Sequence, residues 1–214
     1  MLHKETVSAE FLNLLERLFS FPELNNFVLV GGTALSLRIA NRKSIDIDLF
    51  SNAEFSEDGL NQFLREKNFE FQLQSRHKGS LLGYINNIKV DFLRHGYHWL
   101  STPETIEGIR MASLQDIAAM KLNAISGNGT RLKDFVDIAY LSSFFPLSAM
   151  LDFCEKKYPD INGVMALKSL SYFDDIDFSV DINYMDPKIT WSKVKQRLLK
   201  MVQQPGKQFS LLKG

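Results

Sequence analysis

Two aspartates, Asp46 and Asp48, stand one residue apart in a segment where apolar and acidic residues alternate. Strict alternation is typical of a β-strand, in which successive side chains point to opposite faces of the sheet. We therefore expect both aspartates on one face, with Ile45, Ile47 and Leu49 directed into a core. Paired carboxylates suit a divalent cation such as Mg²⁺, which prefers oxygen ligands and often shares them with substrate phosphates.

A glycine pair, Gly31-Gly32, followed by Thr33, comes shortly before these aspartates. The apolar run 27–30 precedes the glycines and predicts a buried strand, and the amphipathic segment 34–39 predicts a short helix. Glycines at a strand-to-helix turn allow backbone N–H groups to approach a phosphate. The stretch thus predicts a phosphate-binding turn beside a metal-binding strand.

A hairpin is predicted around Asn86-Asn87, because paired asparagines tolerate positive φ. The flanking segments 80–85 and 88–93 read as its strands, and Asp91 is the acidic residue of the second. The simplest interpretation of Asp91 is an exposed strand aspartate, although its apolar neighbours weaken that interpretation.

Helical periodicity dominates from Ile109 onward, so we predict an α+β protein: a mixed sheet with flanking helices and a helical C-terminal half. The division we expect is an α/β core over residues 1–108 and a helical region over 109–214 that completes the active-site cleft. The predicted helices cover 6–20, a segment opened by Ser56, 113–127, 130–142, 147–158, 163–172 and 191–203, and a further strand begins at Phe69.

A second polar group lies in this helical half, where Lys121 is followed by Arg131 and by a pair of aspartates, Asp134 and Asp137. The two aspartates are three residues apart on a predicted helix and share a face. Basic side chains aimed at a triphosphate would stabilise a transferring phosphoryl group. The alternative is a solvated helix face with ordinary ion pairs.

Composition adds few constraints on function. The 214 residues contain 25 basic and 25 acidic side chains, so no global field attracts nucleic acid or membrane, although a local basic patch is compatible with this balance. The single cysteine, Cys154, allows no internal disulfide and fits a reducing compartment. No signal-peptide core and no membrane-length apolar run is present, so we expect a cytoplasmic protein without membrane contact.

Together these motifs resemble the nucleotidyltransferase superfamily, with its DNA polymerase β-like fold, and most closely the AbiEii/AbiGii-type toxin family. In the first half the resemblance is carried by the glycine pair, Thr33, Arg38, Ser44 and the Asp-x-Asp strand. In the second half it is carried by Lys-x-x-Ala, an arginine and Lys-Asp-x-x-Asp, with Ile138 in place of the usual leucine.

This resemblance implies a role for each residue of the two motifs. Asp46, Asp48 and Asp91 would hold Mg²⁺ (or Mn²⁺), and Lys121 would grip the triphosphate of an NTP. Asp134 or Asp137 would position Lys121 or act in catalysis. The remaining nucleotide contacts would come from Gly31, Gly32, Thr33, Arg38, Ser44 and Arg131. A serine at position 44 would also be a possible phosphorylation site, but the simpler interpretation is a turn hydroxyl.

The function implied is metal-dependent transfer of a nucleotide from an NTP to an acceptor, with RNA such as tRNA expected as the acceptor. Such a protein would be a toxin that a cognate antitoxin protein neutralises. Two alternatives remain open at this point: a small-molecule nucleotidyltransferase resembling the aminoglycoside-modifying enzymes, and a catalytically silent nucleotide-binding protein.

Overall fold

Seven strands form one mixed sheet in the computed structural model of this protein, which describes residues 1–214. The chain divides into two compact units. Unit 1 comprises residues 1–38, 44–98 and 103–112, and unit 2 comprises 39–43, 99–102 and 113–214. All strands belong to unit 1 and the later helices belong to unit 2, so the predicted α+β fold class is confirmed.

The sheet of unit 1 has the strand order β3-β4-β5-β2-β1-β7-β6. The β2–β5 and β1–β7 pairs are parallel, and every other pair is antiparallel. Parallel pairing joins strands that are distant in sequence, and here it places the first motif strand beside the hairpin strand. The strands are β1 (Val28–Leu29), β2 (Asp46–Ser51), β3 (Phe71–His77), β4 (Ser80–Ile85), β5 (Ile88–Arg94), β6 (Glu104–Ile106) and β7 (Ile109–Met111).

The apolar side of β2 and β5 forms the centre of the unit 1 core. Ile47 lies opposite Val90 and Leu49 lies opposite Phe92 in the register, and all four side chains are buried. Phe27 adds an edge-to-face contact with Phe92, at 5.3 Å between ring centroids. This burial fixes the register, because a shift of one residue would bring the acidic face of β2 into the core.

Three helices belong to the part of the chain that carries the sheet: α1 (Ala9–Phe19), α2 (Gly31–Ile39) and α3 (Glu57–Glu66). Ser8 and Ser56 cap α1 and α3 by accepting a backbone N–H bond in the first turn. The α1 helix contacts β7, and α3 contacts β3 and β4. The start of α2 differs from the expectation, since both glycines lie inside its first turn rather than before it.

Unit 2 is built from five helices: α4 (Leu114–Gly127), α5 (Leu132–Leu141), α6 (Leu147–Lys157), α7 (Gly163–Ser169) and α8 (Trp191–Gln203). The α4 helix contacts α5, α6 and α7, and α5 also contacts α8. Trp191 at the start of α8 packs edge-on against Phe173 and Phe178, with centroids 5.6 and 5.5 Å away. None of the helices is long and apolar enough to cross a membrane.

Three local expectations were wrong. Ile45 is 68% exposed rather than in the core, because β2 begins only at Asp46. The strand expected from Phe69 begins at Phe71, and Leu73 on it is exposed beside a register shift between Leu73 and Ser75. The segment after Ile109 begins with strand β7 rather than a helix, since Glu107 and Gly108 adopt positive φ and turn the chain into a β6–β7 hairpin.

A fully buried ion pair stabilises unit 2. Lys157 Nζ lies 2.8 Å from Asp116 Oδ1 and 4.7 Å from the centre of the Trp99 ring. The Asp116 carboxylate also accepts bonds from the backbone N–H groups of Leu100 and Ser101 and from the Ser113 hydroxyl. A buried charge needs such partners, because desolvation alone would make it unfavourable.

We predict that Lys157→Met lowers the free energy of unfolding by about 3–5 kcal/mol, because it leaves the buried Asp116 carboxylate without its cation. Urea unfolding followed by circular dichroism measures this difference. Lys156→Met, at the exposed neighbouring position of α6, is the matched control and should change stability by less than about 0.5 kcal/mol. Equal stability of the two variants would contradict a stabilising role for the pair.

Candidate active site

Three carboxylates share one face of the sheet in unit 1. In the parallel β2–β5 register, Asp48 lies directly opposite Asp91, and Asp46 lies opposite Lys89. Adjacent strands lie about 4.8 Å apart and alternate residues share a face, so these four side chains form a compact square. Asp46 and Asp48 are half-buried, and Asp91 is buried. The fold thus brings together the residues for which metal binding was predicted.

Lys89 neutralises part of this acidic face. Its Nζ lies 2.7 Å from Asp91 Oδ2, while Asp91 Oδ1 is buried without a hydrogen-bond partner. Partial burial opposes the charged form of Lys89, but the hydrogen bond to Asp91 and the charges of Asp91, Asp48 and Asp46 outweigh it and raise the lysine pKa. In this arrangement no three carboxylate, histidine or cysteine side chains converge as a ready-made metal cage.

The first turn of α2 lies against Asp48. Gly31 has a φ of +68°, and a Cβ at this position would be 2.7 Å from Asp48 Oδ2. The backbone N–H of Val30 donates to the Asp48 carbonyl oxygen at 3.0 Å, which holds the start of the helix beside β2. A helix N-terminus favours anions, so this turn can stabilise the Asp48 carboxylate and could also receive a phosphate. Phosphate contacts for Gly31 and Gly32 stay a prediction.

The hydroxyls predicted to contact the nucleotide are bonded within the protein. Thr33 Oγ1 lies 2.8 Å from Ser44 Oγ and 2.5 Å from the Asp46 carbonyl oxygen. Thr33 and Ser44 are both buried. These bonds fix the start of β2, where Asp46 begins the strand. A contact between either hydroxyl and a nucleotide stays a prediction.

Arg38, near the end of α2, keeps unused donor capacity. Its Nη1 lies 3.0 Å from Glu104 Oε2, whereas its Nε and Nη2 are buried without a hydrogen-bond partner. Buried guanidinium donors are usually bonded, so this pair marks a position where an additional acceptor would fit.

Unit 2 contains a separate buried charge cluster centred on Asp137. Arg42 forms a two-point bond to this carboxylate, with Nε to Oδ1 and Nη2 to Oδ2 both at 2.9 Å. Asn41 Nδ2 donates to Oδ1 at 2.7 Å, and Lys121 Nζ lies 2.8 Å from Oδ2. Burial alone would raise the Asp137 pKa, but the charges and hydrogen bonds of Arg42 and Lys121 lower it to about 2.

Lys121 and Asp134 complete this cluster. Lys121 Nζ lies 2.6 Å from Asp134 Oδ1, and the lysine is buried on α4 rather than on a solvated helix face. Burial opposes its charge, but Asp137 and Asp134 together raise the Lys121 pKa. Asp134 Oδ2 is buried and accepts no hydrogen bond, with the mostly exposed Arg131 Nε 3.8 Å away.

Sequence reasoning overlooked three members of these clusters. Asn41 and Arg42 lie in a polar segment before β2, and Lys89 lies in the second strand of the hairpin, so none of the three belongs to either motif. Lys89 could have been found from its spacing, since it stands two residues before Asp91 and therefore shares its face. The partnership of Arg42 with Asp137 has no comparable local signal, because the two residues are distant in sequence.

The low pKa of Asp137 predicts acid-sensitive stability. A carboxylate with a pKa of about 2 in the folded protein and 3.8 when unperturbed stabilises the fold above pH 3.8, by about 2 kcal/mol. This contribution is lost as the pH falls from about 4 to 2. We expect urea titrations to show that the free energy of unfolding falls in both proteins over this pH range. The fall should be about 2 kcal/mol smaller in Asp137→Asn than in wild type. Asp152→Asn, on the exposed surface of α6, should retain the wild-type pH profile, and an unchanged profile in Asp137→Asn would contradict the assignment.

Comparison with known proteins identifies the family of this chain. Residues 13–209 match the family described as "Nucleotidyl transferase AbiEii toxin, Type IV TA system". An uncharacterised protein of Aquifex aeolicus (strain VF5) is 33% identical over 189 residues, which cover 85% of this chain and 89% of the relative.

Two solved structures from Helicobacter pylori share the fold. One, provisionally named a nucleotidyltransferase, has a TM-score of 0.56 at 20% identity and covers 93% of this chain and 96% of its own. The other, JHP933, has a TM-score of 0.53 at 18% identity, with coverages of 94% and 93%. The family implies an NTP substrate and an antitoxin partner. The chain belongs to the AbiEii family and is a nucleotidyltransferase-type toxin of a type IV toxin–antitoxin system.

Proposed function

We propose that this protein transfers a nucleotide from an NTP to an RNA acceptor, such as a tRNA, with Mg²⁺ or Mn²⁺ held by Asp46, Asp48 and Asp91. The observation that carries the proposal is the pairing of Asp48 with Asp91 across parallel strands, with one buried Asp91 oxygen left without a partner. Because NTPs and tRNA are abundant in the cytoplasm, we propose that the protein acts there.

The donor set fits a hard divalent cation. Carboxylate oxygens are the ligands that Mg²⁺ prefers, and it commonly binds one or two of them together with substrate phosphates. The ion would supply charge stabilisation for the attacking and leaving oxygens. Unpaired Asp91 Oδ1 supports this role, because a buried carboxylate oxygen is usually bonded.

In the proposed reaction, an acceptor hydroxyl oxygen bonds to the α-phosphorus of the NTP. The bond from that phosphorus to the bridging oxygen breaks, and pyrophosphate leaves. Asp91 receives the hydroxyl proton, and the N-terminal turn of α2 at Gly31 and Gly32 orients the phosphates with its backbone N–H groups. We propose that Arg38 binds a further anionic group through its unpaired Nε and Nη2.

In unit 2 we propose different roles for the two aspartates of the second motif. Asp137 is already bonded by Arg42, Asn41 and Lys121, which supports a structural role. Asp134 retains a buried oxygen without a hydrogen-bond partner, which supports a role towards substrate. Lys121, and Arg131 at the start of α5, are the basic side chains beside Asp134 in this unit.

The surface of α8 supports RNA as the acceptor over a small molecule. This helix contains no acidic residue, and Lys193, Lys195 and Lys200 are exposed on it. Val194 and Leu198 are among the residues that bury its other face. Exposed lysines on a helix without acidic residues are suited to a phosphate backbone, because neutralising several phosphates releases bound counter-ions.

The first prediction from the proposed function concerns transfer itself. Incubation with α-labelled NTPs, Mg²⁺ and total tRNA should give labelled RNA, and Asp48→Asn should reduce the rate by about 100-fold or more, since a group that stabilises the transition state is lost. Asp58→Asn, on the exposed surface of α3, is the control and should retain the wild-type rate. Labelling of small molecules but not RNA would reject the RNA acceptor, and no labelling of either would indicate a silent binding protein.

The second prediction separates the two aspartates of unit 2. Asp137→Asn should mainly lower the free energy of unfolding, because it weakens contacts with two buried cations. Asp134→Asn can still accept a bond from Lys121 and should lose transfer activity while losing less stability. Transfer rates and urea unfolding, both measured on each variant, distinguish a loss of activity from a loss of stability. Full activity of Asp134→Asn would refute its proposed role.

A further inference from the structure

Lys89 places a positive charge on the acidic face of the sheet. It completes the square formed with Asp46, Asp48 and Asp91, and all four residues point to the same side of the sheet. Its ammonium lies 2.7 Å from Asp91 Oδ2. The side chain is 39% exposed, so it is held at the site without being locked into the core.

The ammonium and a divalent ion would compete for the same carboxylate, because Lys89 is bonded to Asp91 Oδ2 and its charge would repel a second cation at that group. Like charges directly opposite each other on neighbouring strands are destabilising, so the three carboxylates need a counter-ion whether or not a metal is present. Lysine carries a compact charge on a flexible four-carbon stem, and it can leave a carboxylate by rotation about its side-chain bonds.

We propose that Lys89 is a built-in counter-ion that pairs with Asp91 in the metal-free protein and is displaced from this carboxylate when a divalent cation binds. This inference rests on the proposed function, because it assumes that the carboxylate face is the metal site. Lys89 thereby stabilises the metal-free toxin and weakens its affinity for free metal. It acts through Asp91 and is a positioning residue.

The test measures Mn²⁺ binding rather than activity. Lys89→Met keeps the length of the side chain and removes its charge. Mn²⁺ should therefore bind about tenfold more tightly to Lys89→Met than to wild type. Isothermal titration calorimetry and electron paramagnetic resonance measure this affinity. Lys89→Arg retains the positive charge and should bind Mn²⁺ within about twofold of wild type. Lys78→Met removes an exposed lysine from the β3–β4 turn, and its Mn²⁺ affinity should equal that of wild type.

Thermal unfolding gives a second readout. In EDTA, Lys89→Met should have a lower Tm than wild type, because the carboxylates repel one another without a cation. Saturating Mn²⁺ should remove this difference, since a ligand that binds only the folded state stabilises it more when it binds more tightly, and Lys89→Met is expected to bind Mn²⁺ more tightly. A Tm difference that persists at saturating Mn²⁺ would show that Lys89 is merely structural and would overturn the inference.

The outcomes separate this inference from the proposed function. If wild type binds Mn²⁺, Asp48→Asn abolishes the binding and Lys89→Met leaves the affinity unchanged, the counter-ion role is overturned and the metal site survives. If neither wild type nor Lys89→Met binds Mn²⁺, or if binding does not depend on Asp48, both proposals fail. Tighter, Asp48-dependent binding in Lys89→Met supports both.

Discussion

The pairing of β2 with β5 imposes an electrostatic constraint on unit 1. Burial of Ile47 and Leu49 fixes the register, and that register sets Asp48 against Asp91. Opposed carboxylates repel, so nearby structure must supply positive charge or dipoles. Lys89 supplies an ammonium, and the N-terminal end of α2 lies against Asp48 because Gly31 has no Cβ to obstruct the approach. The hydrophobic core and the candidate chemistry therefore depend on the same strand register.

Unit 2 also contains a carboxylate that needs nearby positive charge, but there the protein supplies all of it. Its carboxylate at Asp137 is fully buried, and it has enough donors to be stable without any ligand. Asp134 on the same helix and Asp91 in unit 1 each retain one buried oxygen without a hydrogen bond. Satisfied and unsatisfied buried oxygens thus distinguish the two kinds of acidic residue, although their residue types are identical. A carboxylate whose bonds are complete is suited to hold the fold, whereas an incomplete one can accept a further cation or proton.

Local sequence patterns predicted the parts of this molecule that depend on local physics. Alternation in β2 predicted that Asp46 and Asp48 share a face, and the Asn86-Asn87 pair predicted a turn in which both residues have positive φ. The bounds of α8 were predicted correctly from its apolar period. Contacts between residues distant in sequence were harder to predict. The pairing of Arg42 with Asp137 and the short strands β6 and β7 depend on tertiary context, because a polar turn or a three-residue strand carries little signal of its own.

A balanced net charge conceals an uneven distribution that bears on the acceptor. The segment 173–187 contains five aspartates and no lysine or arginine: Asp174, Asp175, Asp177, Asp181 and Asp186. The following residues, 188–214, contain only basic charged side chains: Lys188, Lys193, Lys195, Arg197, Lys200, Lys207 and Lys213. Composition therefore excludes a global field but not a local basic surface, since electrostatic attraction is screened beyond about 10 Å at moderate salt. A polyanion within about 10 Å of α8 is therefore attracted by the basic residues of that helix. The zero net charge of the whole chain does not argue against an RNA acceptor.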